Sequence, residues 1–232
     1  MSIWQRIGDV VDSGTGAVGA LLDRATGLFA GIRDPAARRQ VAFSVAMIAL
    51  SAKMAKADGV VTGDEVAAFR GLFVLPPGEE RNVGRLFDLA KRDVAGYESY
   101  AARIAAIYAG DQQGLEDVID GLFAIAKADG AVHEAEYAYL ERVAAIFGIV
   151  GVDFERIAAR HIIPAEGDPY LILGVERGAS FADIRKQYRK LVAENHPDKL
   201  MARGLPEECI AIANDRLAAI NRAFERIEAE RA

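Results

Sequence analysis

An imidazole and a carboxylate flank a proline at His196-Pro197-Asp198, inside the cation-rich run Ile184 to Leu200, IRKQYRKLVAENHPDKL. No nucleophile, base and oxyanion constellation accompanies them, and no GxSxG, HExxH or P-loop string occurs. The three histidines, at 133, 161 and 196, are too scattered for a metal cluster. A single cysteine, Cys209, excludes an internal disulfide and a thiolate zinc site. What remains for these residue types is recognition: a local basic patch beside an exposed polar turn, suited to steering a specific acidic partner.

The elements that would hold that turn can be read on either side of it. Ile184, Tyr188, Leu191 and Val192 recur at spacings of three and four, so they share one face of a helix, while Arg185, Lys186, Arg189 and Lys190 occupy the others. Proline lacks an amide proton and biases the residue before it away from the helical region, so the helix is expected to end near His196, with His196, Pro197 and Asp198 in an exposed loop. Taken alone, that string is also ordinary turn chemistry beside a solvated basic face. Upstream, DPYLILGV at 168–175 reads as a short apolar helix, and Ser180 as the cap of the basic one. Downstream, Leu217, Ile220, Phe224 and Ile227 give the apolar stripe of a last, antiparallel helix.

This order of elements, with YLILGV, IRKQYRKL, HPDK and INRAF in sequence, resembles the J domain, the module by which J-domain co-chaperones stimulate DnaK-type ATPases. The stretch HPDKLMARGLPEE, with its Gly-Pro turn and acidic start before the last helix, is similar to the DjlA subfamily. The resemblance implies a DnaK-type partner. His196, Pro197 and Asp198 would carry the signal, and Arg185, Tyr188, Arg189, Lys190 and Lys199 would make the contact. The catalytic groups would then belong to the partner, and this chain would not itself be an enzyme.

With 28 Lys and Arg against 34 Asp and Glu, the chain lacks the basic footprint of a nucleic-acid binder, and no nucleic-acid partner is expected. Its 232 residues leave room for one further domain besides a J domain at 164–232. Residues 1–34 are interrupted by Arg6, Asp9, Asp12, Asp23, Arg24 and Arg33, so they offer no run of about 20 apolar residues to span a bilayer. Two readings of this segment stay open: an amphipathic or partly disordered stretch packing on the next domain, and a weak contact with a membrane surface. The expected location is cytoplasmic, at most peripheral to the inner membrane.

Residues 35–163 read as a helical bundle, making the whole chain all-α. Pro35 suits a first helical turn, and the apolar run Val41 to Ala52 suits a buried core helix. The string AKADGVVTGDE at 55–65 returns as AKADGAVHEAE at 126–136. Gly59 and Gly130 can end one helix, and Thr62 with Glu65, or His133 with Glu136, can cap the next. This repeat also resembles the TerB fold of tellurite-resistance proteins, which occurs as the middle domain of DjlA-like proteins. That resemblance implies a divalent-metal reading for Asp58, Glu65, Asp129 and Glu136, with Asp64 and Glu134 beside them. Neither copy is an EF-hand, and Asp64 becomes Ala135 in the second, so capping is the preferred reading and no cofactor is expected. The bundle would recruit a client or a localising partner. The competing functional reading is a stress-response or metal-sensing adaptor in which the bundle is the main module.

Overall fold

The computed structural model describes residues 34–57, 96–127, 130–162, 167–206 and 209–231. Every regular element among them is a helix: α1 (Pro35–Ala57), α2 (Tyr97–Ile107), α3 (Gln112–Ala126), α4 (Glu134–Ile146), α5 (Val152–Ala158), α6 (Pro169–Leu173), α7 (Phe181–Glu194), α8 (Pro197–Arg203) and α9 (Ile210–Glu230). The expected segment 1–34 lies almost wholly outside the described residues, as do Asp58, Thr62, Glu65 and Asp129. Among the described residues no helix is long and apolar enough to cross a membrane.

The first core is built around α1. Residues 41–54 are buried without interruption, as expected of a helix that is apolar on every side. Helices α2, α3 and α4 pack on it, and α5 packs on α3. The Tyr139 hydroxyl donates to the Leu50 carbonyl at 2.8 Å, which ties α4 to α1 where no water reaches. At Gly121, in the middle of α3, a Cβ would fall 2.9 Å from Met47 Cε and 3.2 Å from Ile212 Cδ1, so the glycine permits two helices to close on a third. Glu136 accepts the His133 amide at 2.9 Å, so this half of the expected capping arrangement is present at the start of α4.

A second core gathers Tyr170, Ile172 and Leu173 of α6, Ile184 and Leu191 of α7, and Ile220, Ala223 and Ile227 of α9. Local chemistry fixes the starts of α6 and α7. Asp168 accepts the Tyr170 amide at 3.0 Å, with Pro169 in the first turn, and Ser180 Oγ accepts the Asp183 amide at 3.1 Å. The Tyr188 ring stacks on Phe224 at 4.1 Å, holding the basic helix α7 against α9.

The last helix belongs to both cores. Its first turn contributes Ile212 and Ala213 to the core around α1, together with Leu200, Leu205 and Cys209, while its later turns fill the second core. Arg216 sits between the two groups.

Candidate functional site

Helix α7 ends at Glu194, and Asn195 closes it with both its backbone and side-chain amides on the Leu191 carbonyl, at 2.9 and 2.8 Å. Here the structure refines the expected open loop. His196 is the N-cap of α8, Pro197 stands in its first turn, and His196 Nδ1 accepts the Asp198 amide at 3.3 Å. In the neutral ring the proton therefore resides on Nε2. The turn is ordered by a helix on each side, yet its side chains face solvent, His196 at 55% exposure and Asp198 at 82%. Proline explains both features: it cannot continue α7, and its fixed φ is ready-made for the first turn of α8.

The cations expected on α7 are presented beside this turn. Arg185, Arg189 and Lys190 are exposed, as is Lys199 on α8. Arg185 lies over the Phe181 ring at 4.8 Å, and Lys190 Nζ stands 4.0 Å from Glu194. Tyr188 is half-buried, its hydroxyl donating to Asn221 Oδ1 at 3.1 Å, so much of its ring serves the packing of α7 on α9.

Beneath the turn lies a group of charges the sequence reading did not pick out. Asp117 and Asp120, one helical turn apart on the buried face of α3, receive Arg216 from α9. Arg216 Nη1 donates to Asp117 Oδ1 at 2.7 Å and Nε donates to Asp120 Oδ2. Arg216 Nη1 also reaches Asn195 Oδ1 at 3.2 Å, the residue just before His196. Arg203, the last residue of α8, donates to Asp117 Oδ2 at 3.3 Å and to Gln113 at 3.0 Å. Arg160 and His161, which follow α5, complete the group on Asp120 Oδ1 at 3.4 and 2.9 Å.

Burial by itself drives the Asp120 carboxyl upward, but Arg216, His161 and Arg160 override it and hold this acid well below the usual carboxylate range. For Arg216 burial opposes the charge, and Asp120 with Asp117 more than restores it. Burial lowers the His161 imidazole further than Asp120 raises it, so the ring is neutral at pH 7 and donates Nε2–H to the carboxylate. It stacks flat on Phe123 at 5.3 Å. The sequence held one signal for this cluster: Asp117 and Asp120 in EDVID, set among the apolar residues Leu115, Val118, Ile119 and Leu122, a placement that calls for buried partners.

Of the six carboxylates named for a metal, Glu136 is committed to the His133 amide, Glu134 is exposed at the start of α4, and the other four lie outside the described residues. Among the described residues no group of three His, Cys, Asp or Glu side chains is placed to hold an ion.

Comparison with known proteins fits this two-part architecture. Residues 44–159 match the family described as tellurite resistance protein TerB, and residues 168–230 match the DnaJ domain. The chain belongs to the TerB family and carries a DnaJ domain after the TerB region. It is 28% identical to the co-chaperone protein DjlA of Photobacterium profundum over 222 residues, 83% of this chain and 79% of that relative. It is likewise 28% identical to the co-chaperone protein DjlA of Shewanella oneidensis over 232 residues, 92% of this chain and 88% of the relative. A 58-residue stretch, 25% of this chain and 20% of the relative, is 47% identical to the co-chaperone protein DjlA of Legionella pneumophila. No solved structure matches. The charge cluster lies where the TerB region and the DnaJ domain meet: Asp117 and Asp120 on one side, Asn195, Arg203 and Arg216 on the other, and Arg160 and His161 from the connection between them.

Proposed function

We propose that this chain is a J-domain co-chaperone that stimulates ATP hydrolysis by a DnaK-type chaperone. The observation that carries the reading is the His196-Pro197-Asp198 turn, which stands exposed at the end of a basic helix within a stretch matching the DnaJ domain. In this reading Arg185, Arg189, Lys190 and Lys199 meet an acidic surface of the ATPase through charge-assisted contacts, Tyr188 supports that face, and His196 and Asp198 deliver the signal. The phosphoryl chemistry belongs to the partner's nucleotide site. This chain contributes binding free energy that favours the partner's hydrolysing state. The TerB region recruits a client or a localising partner, and the complex works in the cytoplasm, where a peripheral membrane contact of the first 34 residues would place it at the inner membrane.

The test is single-turnover ATP hydrolysis by a DnaK-type ATPase with increasing amounts of the full chain. His196→Gln and Asp198→Asn should each abolish stimulation while leaving the chain folded, with the melting temperature unchanged in Asp198→Asn and lowered in His196→Gln by no more than the loss of one exposed cap bond. Stimulation at the wild-type rate by both variants would remove the reading.

A further inference from the structure

The segment bearing the exposed turn is held by the bundle at its start, middle and end, and two of those attachments meet on one carboxylate. At the start, Asn195 Oδ1 accepts from Arg216 Nη1 at 3.2 Å, and the same nitrogen donates to Asp117 Oδ1 at 2.7 Å. At the end, Arg203 Nη2 donates to Asp117 Oδ2 at 3.3 Å. In the middle, Leu200 is buried in the core that surrounds α1, and Leu205 follows it there. His196 and Asp198 are thus presented from a segment whose supports come largely from α3 and α1, outside the DnaJ domain.

We propose that Asp117, Arg216 and Asn195 are positioning residues for the His196-Pro197-Asp198 turn, so that the TerB bundle sets the orientation in which the turn meets its ATPase partner. This rests on the co-chaperone reading above. Stability alone is a poor explanation for the arrangement, because taking several charges out of water offsets much of their mutual attraction, and apolar side chains of similar size often stabilise as well. What a guanidinium adds is direction. Its planar fork binds Asp120 through Nε while Nη1 serves Asp117 and Asn195 together, and each acceptor constrains the plane. The Asn195 amide cannot swing away freely, since its Nδ2 donates to the Leu191 carbonyl. A shift of α3 against α9 would therefore move the residue next to His196. A partner bound to the bundle would act on stimulation through the same contacts, with no need to touch the turn.

The experiment uses the full chain with Asn195→Ala, Asp117→Asn and Arg216→Lys, and two readouts. Asn195→Ala leaves the buried ion pairs in place and removes both the link to Arg216 and the side-chain bond to the Leu191 carbonyl, while Arg216→Lys keeps that second bond and so separates the two. Arg216→Lys keeps the charge but cannot serve three acceptors in one plane. Amide hydrogen exchange should accelerate about tenfold across residues 195–203 in Asn195→Ala and in Arg216→Lys, the factor expected from losing one charge-assisted hydrogen bond. Maximal stimulation of a DnaK-type ATPase should fall about five- to tenfold, with the half-saturating concentration within about twofold of wild type, because the basic face is untouched. Asp198→Asn, which leaves the Asn195, His196 and Arg203 hydrogen bonds of the segment in place, should abolish stimulation without altering exchange. Unchanged exchange in all three positioning variants would overturn the proposal, as would faster exchange with full maximal stimulation. If the wild-type chain fails to stimulate an ATPase that responds to another J protein, the co-chaperone reading falls and takes the functional half of the proposal with it. The exchange data then still decide whether the bundle holds the turn.

Discussion

Asp117 in α3 and Arg216 in α9 stand 99 positions apart in the chain and meet at 2.7 Å, both buried, at the boundary between the two hydrophobic cores. Helix α9 runs through that boundary, giving Ile212 and Ala213 to one core and Ile220, Ala223 and Ile227 to the other. The pair therefore marks the position along α9 at which one hydrophobic core gives way to the other.

Removing the cation tests how strongly the two halves depend on it. Arg216→Met would leave the buried Asp117 and Asp120 short of their main partner, and breaking a buried pair from one side costs about 3–5 kcal/mol. Urea unfolding at pH 7 should show that loss. In a double-mutant cycle with Asp117→Asn, the coupling should be roughly 1–3 kcal/mol. A coupling near zero would mean that the two side chains do not share a site in solution.

The same cluster gives stability a defined pH dependence. His161 has a folded-state pKa lowered from its ordinary value near 6.5, so below that value the unfolded chain binds a proton that the folded chain refuses, and stability declines as pH falls. Asp120 has a depressed folded-state pKa. Its contribution is fully present above about 4, where the unfolded carboxyl is ionised, and disappears as pH drops further toward the folded value. Melting temperature should thus fall in two stages. His161→Gln, which can still donate to Asp120 but does not titrate, should flatten the first stage and leave the second. A wild-type slope retained between pH 7 and 5 in that variant would assign the first stage to another group.

Much of the second core could be read in the sequence, because its periodic residues are local. Ile184 and Leu191 are buried and Tyr188 and Val192 half-buried, as their spacing requires, and Ser180 caps the helix they line. Proline likewise located the end of α7, although Asn195 and not His196 closes it. The charge cluster was not legible in the same way. Spacing shows that Asp117 and Asp120 share a face, but nothing local says that Arg216 and Arg203 come to neutralise them. Nor does the stripe at Leu217, Ile220, Phe224 and Ile227 reveal that the turn before it belongs to the other core. His161, in sequence only one of three scattered histidines, is buried and stacked on Phe123.

Gly204 offers a test of how closely α8 approaches α1. Its φ of +115° is left-handed, and a Cβ there would collide with Arg39 Cβ, an atom fixed to the α1 backbone that cannot rotate aside. Gly204→Ala should cost at least about 2 kcal/mol, from backbone strain and the forced separation together. Gly110→Ala is the control, with φ +85° and nothing within 4 Å of the added carbon, and should cost only about 1 kcal/mol. Equal losses would show that the contact between Gly204 and Arg39 is not tight in solution.

Capping and metal binding at Glu136 predict different melts. As a cap, its carboxylate serves the His133 amide, so Glu136→Ala should lower stability by about 1 kcal/mol, equally in chelator and in millimolar calcium or zinc. A ligand would instead couple stability to the ion, by roughly 2.7 kcal/mol at a hundred times the dissociation constant. A melting temperature that climbs with added ion in wild type but not in Glu136→Ala would restore the metal reading of the repeated motif.

The basic face of α7 should govern how fast the partner is found and much less how the turn acts once bound. Arg189 and Lys190 are exposed, so their field is screened over about 8–10 Å at physiological salt and acts chiefly on encounter. Charge reversal by Arg189→Glu or Lys190→Glu should slow association with a DnaK-type ATPase by about tenfold at low salt, with little change in dissociation, and should weaken the salt dependence of what remains. Stopped-flow association across a salt series separates this from damage to the fold, which would raise dissociation at every salt concentration. Because both residues lie on the side of α7 away from the packed face of Ile184 and Leu191, melting temperature should stay within about 1 °C of wild type. Association rates indifferent to both mutation and salt would show that the partner docks away from α7, leaving the His196-Pro197-Asp198 turn without the helix expected to deliver it.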